Sequence, residues 1–271
     1  MHSKLLSLTS ALFFGIASFG DQPIFNEMPR WDNGWGFQIV EEHRSESDLL
    51  LGETVIAKGF SEEIYITHLE GVYTWDKSIR VTAKLPYVRD AMRELPDGSG
   101  GKLLQEDEGW GDLTLALPLK RYFNLDGRSG SWTFAPQLRI PLSEQDEYEV
   151  YDQIWRPGIS VGYETETHKW IMAIGAATST ASEGMPSKSS MNIDLGFNFR
   201  AFNSSGHAKW ETDYLREGDG SETLVVGPSL YWRFTDTVHG KIMWKRDTHD
   251  RQGTLDHGNG RYVKIGLGFV Y

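Results

Sequence analysis

Apolar side chains recur at every second position along most of this chain. The clearest case is the last segment, where Val263, Ile265, Leu267, Phe269 and Tyr271 alternate with Lys264, Gly266 and Gly268. Successive side chains of a strand point to opposite faces, so this segment has one apolar face and one small or charged face. Its length of about ten residues is what a tilted strand needs to cross a bilayer. An apolar strand left bare at a C-terminus is an aggregation hazard in a soluble protein. Here it resembles the C-terminal assembly signal of Gram-negative outer-membrane barrels, with Tyr271 where Phe is usual.

The alternation continues upstream. Trp132, Phe134, Pro136, Leu138 and Ile140 oppose Thr133, Ala135, Gln137 and Arg139; Met191, Ile193, Leu195, Phe197 and Phe199 oppose Asn192, Asp194, Gly196, Asn198 and Arg200. Further strands are expected from Trp35 to about Arg44, from Ile79 to Tyr87, and around Leu113–Leu119, Trp155–Tyr163, Trp170–Ile174, Ala208–Tyr214, Leu224–Trp232 and Val238–Trp244. One more runs over about 62–73, its facing ambiguous because Ile64 and Ile66 oppose Tyr65 and Leu69. Long polar connections at 45–58, 89–108, 143–153, to about 189, 216–220 and 248–259 alternate with short turns. This predicts an all-β transmembrane antiparallel β-barrel of about twelve strands in an up-and-down meander. Membrane barrels put long loops outside and short turns in the periplasm, whereas a soluble sandwich has no reason to segregate loop length by side.

A hydrophobic fraction of 39% taken alone points to a soluble chain, but a barrel wall needs only half of each strand to be apolar. Ten Trp and 29 Gly suit aromatic girdles and tight turns. No stretch beyond the N-terminus offers eighteen apolar residues for a helical span. Residues 1–20 read as a secretory signal peptide, with Lys4, an apolar run from Leu5 to Ala17, and small residues Ser18 and Gly20 before Asp21. Residues 21–33 read as a periplasmic N-terminal tail and 34–271 as the outer-membrane barrel. Cysteine is absent, which excludes disulfides, and a net charge of −11 argues against nucleic acid.

Two stretches, Ala83-Lys-Leu-Pro-Tyr-Val-Arg89 and Gly109-Trp-Gly-Asp-Leu-Thr-Leu-Ala-Leu-Pro118, resemble the family of putative transporters of the phenol-degradation MetA pathway. That family is a group of outer-membrane β-barrels. The resemblance implies a pore for small apolar or aromatic compounds and supplies no catalytic residues.

The face opposite the apolar one is charged. Its candidates for a pore lining are Arg80, Lys84, Lys120, Arg139, Arg156, Glu164, Asp194, Arg200, Lys209, Glu211, Arg233, Lys241, Lys245 and Lys264, with Asp112 and Asp213 beside them. Cations exceed anions in this set, which predicts preference for anionic solutes if the lumen is open. If these charges instead pair across a narrow barrel, they plug it; twelve strands fall between a filled and an open interior. Trp35, Trp75, Trp110, Trp132, Trp155, Trp170, Trp210, Trp232 and Trp244 read as girdle anchors. The carboxylates Glu144, Asp146, Glu147, Glu149 and Asp152 carry no calcium-loop pattern and read as a solvated loop. His43, His68, His168, His207, His239, His249 and His257 are scattered, with only His68 and His239 well inside expected strands, and no nucleophile–base or metal-ligand spacing stands out. The expected function is passive uptake of small solutes, with no enzyme activity, cofactor or metal. A lipid-modifying barrel enzyme and a closed structural or adhesive barrel are the alternatives. Expected partners are outer-membrane lipid and lipopolysaccharide, the barrel-assembly machinery through Val263–Tyr271, and the solute.

Overall fold

A computed structural model describes residues 33–271 except 126, 143–149, 181–186 and 202–203. Fourteen antiparallel strands account for nearly all of it: β1 (Gly34–Gly52), β2 (Thr54–Asp76), β3 (Ile79–Pro96), β4 (Lys102–Trp110), β5 (Leu113–Ala116), β6 (Leu119–Leu125) and β7 (Arg128–Ile140). There follow β8 (Arg156–Glu166), β9 (Trp170–Ser179), β10 (Lys188–Ala201), β11 (Ser204–Glu217), β12 (Glu222–Arg233), β13 (Val238–Gly258) and β14 (Arg261–Val270). Apart from β4, β5 and β6, consecutive strands pair, and β14 pairs with β1, from Gly36↔Val270 to Ser45↔Arg261, so the sheet closes. The segments β4, β5 and β6 all pair with β3 and form one broken stave, so the barrel has twelve staves. Closure removes the edge that the C-terminal strand would otherwise expose.

The outer wall carries a continuous apolar band. Ile39, Leu267, Ile265, Ile242, Leu195, Ile193 and Ile174 face outward and sit side by side through the ladders, most more than 40% exposed. Aromatic pairs bound this band. At the short-turn end Trp35 meets Tyr73 at 4.6 Å and Trp132 meets Tyr163 at 4.6 Å; at the long-hairpin end Tyr87 meets Trp110 at 4.9 Å between ring centroids. Large exposed apolar surface is untenable in water at this extent and matches a lipid-facing barrel with two girdles.

Three expected loops are strands instead. Residues 45–58 continue the β1–β2 hairpin to a turn at Glu53, 89–108 hold the upper halves of β3 and β4, and 248–258 extend β13, whose end pairs with β1 from Asp48↔Gly258. Beyond the girdle the outer face meets water instead of lipid and the inner face buries charged groups such as Glu62, Arg93 and His257, so the apolar alternation stops although the backbone ladder continues. The second strand's facing is also settled. Glu62, Ile64, Ile66, His68 and Glu70 point inward, and Tyr65 and Trp75 outward. Inward Ile64 and Ile66 pack with Val88, Ala91, Val150 and Tyr151, so the segment that follows the undescribed residues 143–149 folds into the barrel. It sits where the fourth stave breaks. The ring of Tyr151 lies against Gly111, Val150 N–H donates to Asp107, and Gln153 Nε2 donates to Trp110 O at 3.1 Å. Residues 1–32, which hold the expected signal and most of the expected tail, lie outside the described residues.

Candidate functional site

Twelve of the fourteen candidates from the sequence project into the barrel; the other two lie at its short-turn end. Lys84, Arg139, Arg156, Glu211, Lys241, Lys245 and Lys264 line a single cavity of about 230 Å3. Arg80, Lys120, Asp194 and Lys209 are buried below or beside it, and Glu164 accepts from Lys120 at 3.1 Å. Arg200 is exposed near the end of β10, and Arg233 bonds Asp236 in the short β12–β13 turn; neither reaches the cavity. Asp213 lines the cavity, while Asp112 is 1% exposed in the break of the fourth stave.

The interior charges pair along the wall. Glu42 lies 2.5 Å from His68 Nε2 on β2, 2.7 Å from Arg44 on its own strand and 3.0 Å from Lys264 on β14. Glu211 accepts from Ser229 at 2.5 Å, from Lys209 at 3.0 Å and from Lys245 at 2.6 Å. Lys245 also bonds Asp213, and Lys209 reaches Asp194 at 3.3 Å. Lys245 on β13 crosses β12 to meet Glu211 on β11. It can do so because β12 presents Gly227 there, where an added Cβ would come within 2.7 Å of Lys245 Cα. Gly196 does the same for the stem of Lys209, whose Cγ would lie 2.8 Å from such a Cβ. Long side chains thus lie flat in beds of glycine instead of reaching across the barrel.

Among the described residues, seven cations line the cavity: Lys84, Arg139, Arg156, Lys188, Lys241, Lys245 and Lys264. Four carboxylates do, namely Glu42, Glu70, Glu211 and Asp213, leaving a formal excess of three positive charges. Several counter-ions sit behind the lining. Asp152 bonds Arg156 at 2.8 Å and Lys188 at 3.2 Å, and Glu217 lies 3.2 Å from Lys188, yet neither acid lines the cavity. Asp152 is therefore part of a buried network and not of a solvated loop; Glu144, Asp146, Glu147 and Glu149 lie outside the described residues. Lys188, Asn192, Gln137, Glu42, Glu70 and His68 line the cavity but were not among the sequence candidates. For Lys188 and Asn192 a signal was present, since Lys188, Ser190 and Asn192 alternate with Met191 and Ile193.

His43, His68, His207, His239 and His257 are held in hydrogen-bond or ring contacts. His43, His207, His249 and His257 lie in strands as well as His68 and His239. His43 lies 2.5 Å from Glu63 on the outer wall, His239 bonds Gln38 at 3.0 Å, and His257 accepts from Arg93 at 3.2 Å and reaches the Glu94 carbonyl. At the rim of the long hairpins, Lys102 holds the Glu94 carboxyl down at about 2, and burial raises Asp250 to about 7, helped by Asp247.

No family model matches the chain, and no curated protein matches its sequence. Among solved structures, an outer membrane channel from Pseudomonas putida F1 superimposes with a TM-score of 0.67 at 15% identity, over 90% of this chain and 97% of that one. The KdgM porin in complex with disordered oligogalacturonate gives 0.47 at 8% identity, over 86% and 99%. The CymD monoaromatic hydrocarbon channel gives 0.43 at 8% identity, over 89% of each chain. The first of these shares the fold of this chain, a closed barrel of the outer-membrane type.

Proposed function

We propose that this protein is an outer-membrane channel for the passive passage of small solutes, with a preference for anions. The observation that carries this reading is the lateral pairing of interior charges, which leaves a cavity lined by seven cations and four carboxylates. A lumen plugged by cross-barrel ion pairs would have no such space. Charge at a constriction selects ions through the field it sets up there, without chemistry. The pore-lining role falls to Lys84, Arg139, Arg156, Lys241, Lys245 and Lys264 together with Lys188. The inward segment at Val150 and Tyr151 narrows the passage at the long-hairpin end, which by loop length is the cell exterior.

The same reading has residues 1–20 direct export and 21–33 remain in the periplasm. The strand Val263–Tyr271, whose alternate apolar side chains Val263, Ile265, Leu267 and Phe269 face outward, carries recognition by the assembly machinery. Outer-membrane lipid and lipopolysaccharide surround the wall. Likeness of Ala83–Arg89 and Gly109–Pro118 to the phenol-degradation transporter family supports a small organic cargo. Planar-bilayer recording of the refolded protein under a salt gradient tests the proposal. Discrete conductance steps with a reversal potential displaced toward that of the anion are expected. Folded protein that never conducts would overturn it.

A further inference from the structure

We infer that the outer rim of β13 and β14 is a docking site for the phosphate of an anionic outer-leaflet lipid, held between Arg246 and Arg261. This rests on the outer-membrane channel reading, with the long hairpins at the cell exterior. Toward that end the outward positions of β13 run Ile242, Trp244 and Arg246, and those of β14 run Ile265, Val263 and Arg261. The ladder pairs them rung by rung, Ile242↔Ile265, Trp244↔Val263 and Arg246↔Arg261. Both arginines therefore stand one step beyond the last apolar rung. Trp244 is 44% exposed on that rung, as a residue at the lipid interface is. Val226 on β12 continues the arginine rung to one side and Ser45 on β1 to the other, and neither carries a charge.

Two observations point to an anion there. The first is the pair itself. Arg246 and Arg261 are exposed and directly opposite each other, and like charges so placed repel. Among the described residues neither side chain makes an ion pair or a hydrogen bond. Glu63 and Glu41, outward on the adjoining β2 and β1, are engaged by His43 at 2.5 Å and by Arg89 at 2.9 Å. The second is the setting. The chain has a net charge of −11. Yet the described outward strand positions of β11 to β14 beyond the apolar band carry Arg216, Arg246, Arg251 and Arg261 against one acid, Glu222. Glu222 lies 3.6 Å from Arg216 and stands opposite Arg251, so it leaves the central pair unanswered. Arginine offers paired donors to phosphate oxygens, and an anion between two guanidinium groups turns their repulsion into attraction. Trp244, Val263, Ile242 and Ile265 directly below take the acyl chains. A phosphate joined to acyl chains uses both parts of this stack, whereas a free anion uses only the upper one.

The test is native mass spectrometry of the refolded full chain in detergent with bisphosphorylated lipid A, and with its dephosphorylated form as the uncharged counterpart. The phosphorylated lipid should bind at least about tenfold more tightly. Arg246→Gln and Arg261→Gln should each weaken it about fivefold, the scale of one arginine at an anionic lipid surface, and the double variant about twenty-five-fold. Arg200→Gln with Arg233→Gln removes two charges at the short-turn end and should leave binding as in the parent. Arg246 and Arg261 are exposed, so their variants should fold normally, which heat-modifiable gel mobility checks. Equal binding of the two lipid forms, or a double variant that binds as the parent does, would overturn the site. Displacement of the lipid by an equal concentration of inorganic phosphate would overturn the lipid as its occupant. A parent dimer that the double variant loses would assign the pair to a second copy of this chain instead. Single-channel recording of the same preparations separates the two readings, and the variants should conduct as the parent does because both arginines face away from the lumen. Conductance without phosphate-dependent lipid binding sinks the docking site and leaves the channel. Lipid binding without conductance sinks passage and leaves the docking site.

Discussion

Replacing Lys241 and Arg139 together by Glu should invert the ion preference of the proposed channel. The cavity lining carries seven cations and four carboxylates, and each reversal changes the sum by two, so the double variant moves from three positive charges to one negative. A unit charge about 5 Å from a permeating ion in a water-filled lumen is worth roughly 0.8 kcal/mol, and salt screening at 0.1 M lowers this to about 0.5 kcal/mol. Three such charges attract an anion by about 1.5 kcal/mol and repel a cation by about as much, or roughly a hundredfold anion preference. Under a tenfold salt gradient, ideal selectivity for a monovalent ion gives about 59 mV. The parent should therefore reverse well over halfway toward the anion limit, and the double variant should cross zero to a small cation preference. Lys241→Glu alone should fall between them. Lys241 lies against Gly266, with its Cγ 3.0 Å from where a Cβ would stand, so the exchange alters charge without altering the bore. If the double variant folds, conducts, and reverses within a few millivolts of the parent, the lining charges do not set selectivity and the reasoning fails.

Four further outcomes are expected. Lys245→Met strands Glu211 and Asp213 and should lower stability by about 1–3 kcal/mol, less than for a dry buried pair because the lumen holds water; adding Glu211→Gln should recover part of it in thermal unfolding. Tyr151→Ala removes the ring that packs on Gly111 and beside Ile64 and Ile66, and single-channel conductance should rise. Leu195→Arg, on the outward face at 56% exposure, should cost about 2–4 kcal/mol of insertion free energy in liposome refolding if that face meets lipid. Asp250 beyond the girdle titrates near 7, above its ordinary value, because burial and Asp247 disfavour its charge. The folded state then holds a proton that the unfolded segment releases, so the end of β13 is best held below pH 4 and loosens as pH rises toward 7. Protease nicking within 248–258 should increase from pH 5 to pH 8, and Asp250→Asn should flatten that rise.

The barrel was legible in the sequence wherever one strand face meets lipid. Val263 to Tyr271 and Met191 to Phe199 alternate cleanly because a lipid face tolerates little else, and the structure turns those faces outward. Legibility ended where that constraint ends. The hairpin 45–58 and the end of β13 are bonded strands, yet water in place of lipid on their outer side removes the apolar period, and they read as loops. Ile64 and Ile66 obscured the second strand because their inward packing against Tyr151 depends on a contact nearly ninety positions away, which no local period reports. The same applies to Asp152, whose acidic surroundings in sequence suggested solvent while Arg156 and Lys188 hold it inside.

The interior poses a physical problem that the glycines resolve. A twelve-stave barrel is narrow enough for a lysine to span much of its bore, and cross-barrel ion pairs would close it. Glycine at 227 and 196 lets the stems of Lys245 and Lys209 lie along the wall, so their ammonium groups meet Glu211 and Asp194 beside them. Charge and bore are thereby separated. The width of the passage follows from where small residues occur on the inner face, most of all on β8 and β9, and the sign of its field follows from which charges reach the lining. An open lumen and a densely charged lumen are therefore compatible here. A branched side chain at 227 would couple them again, since it would lift Lys245 off the wall into the path.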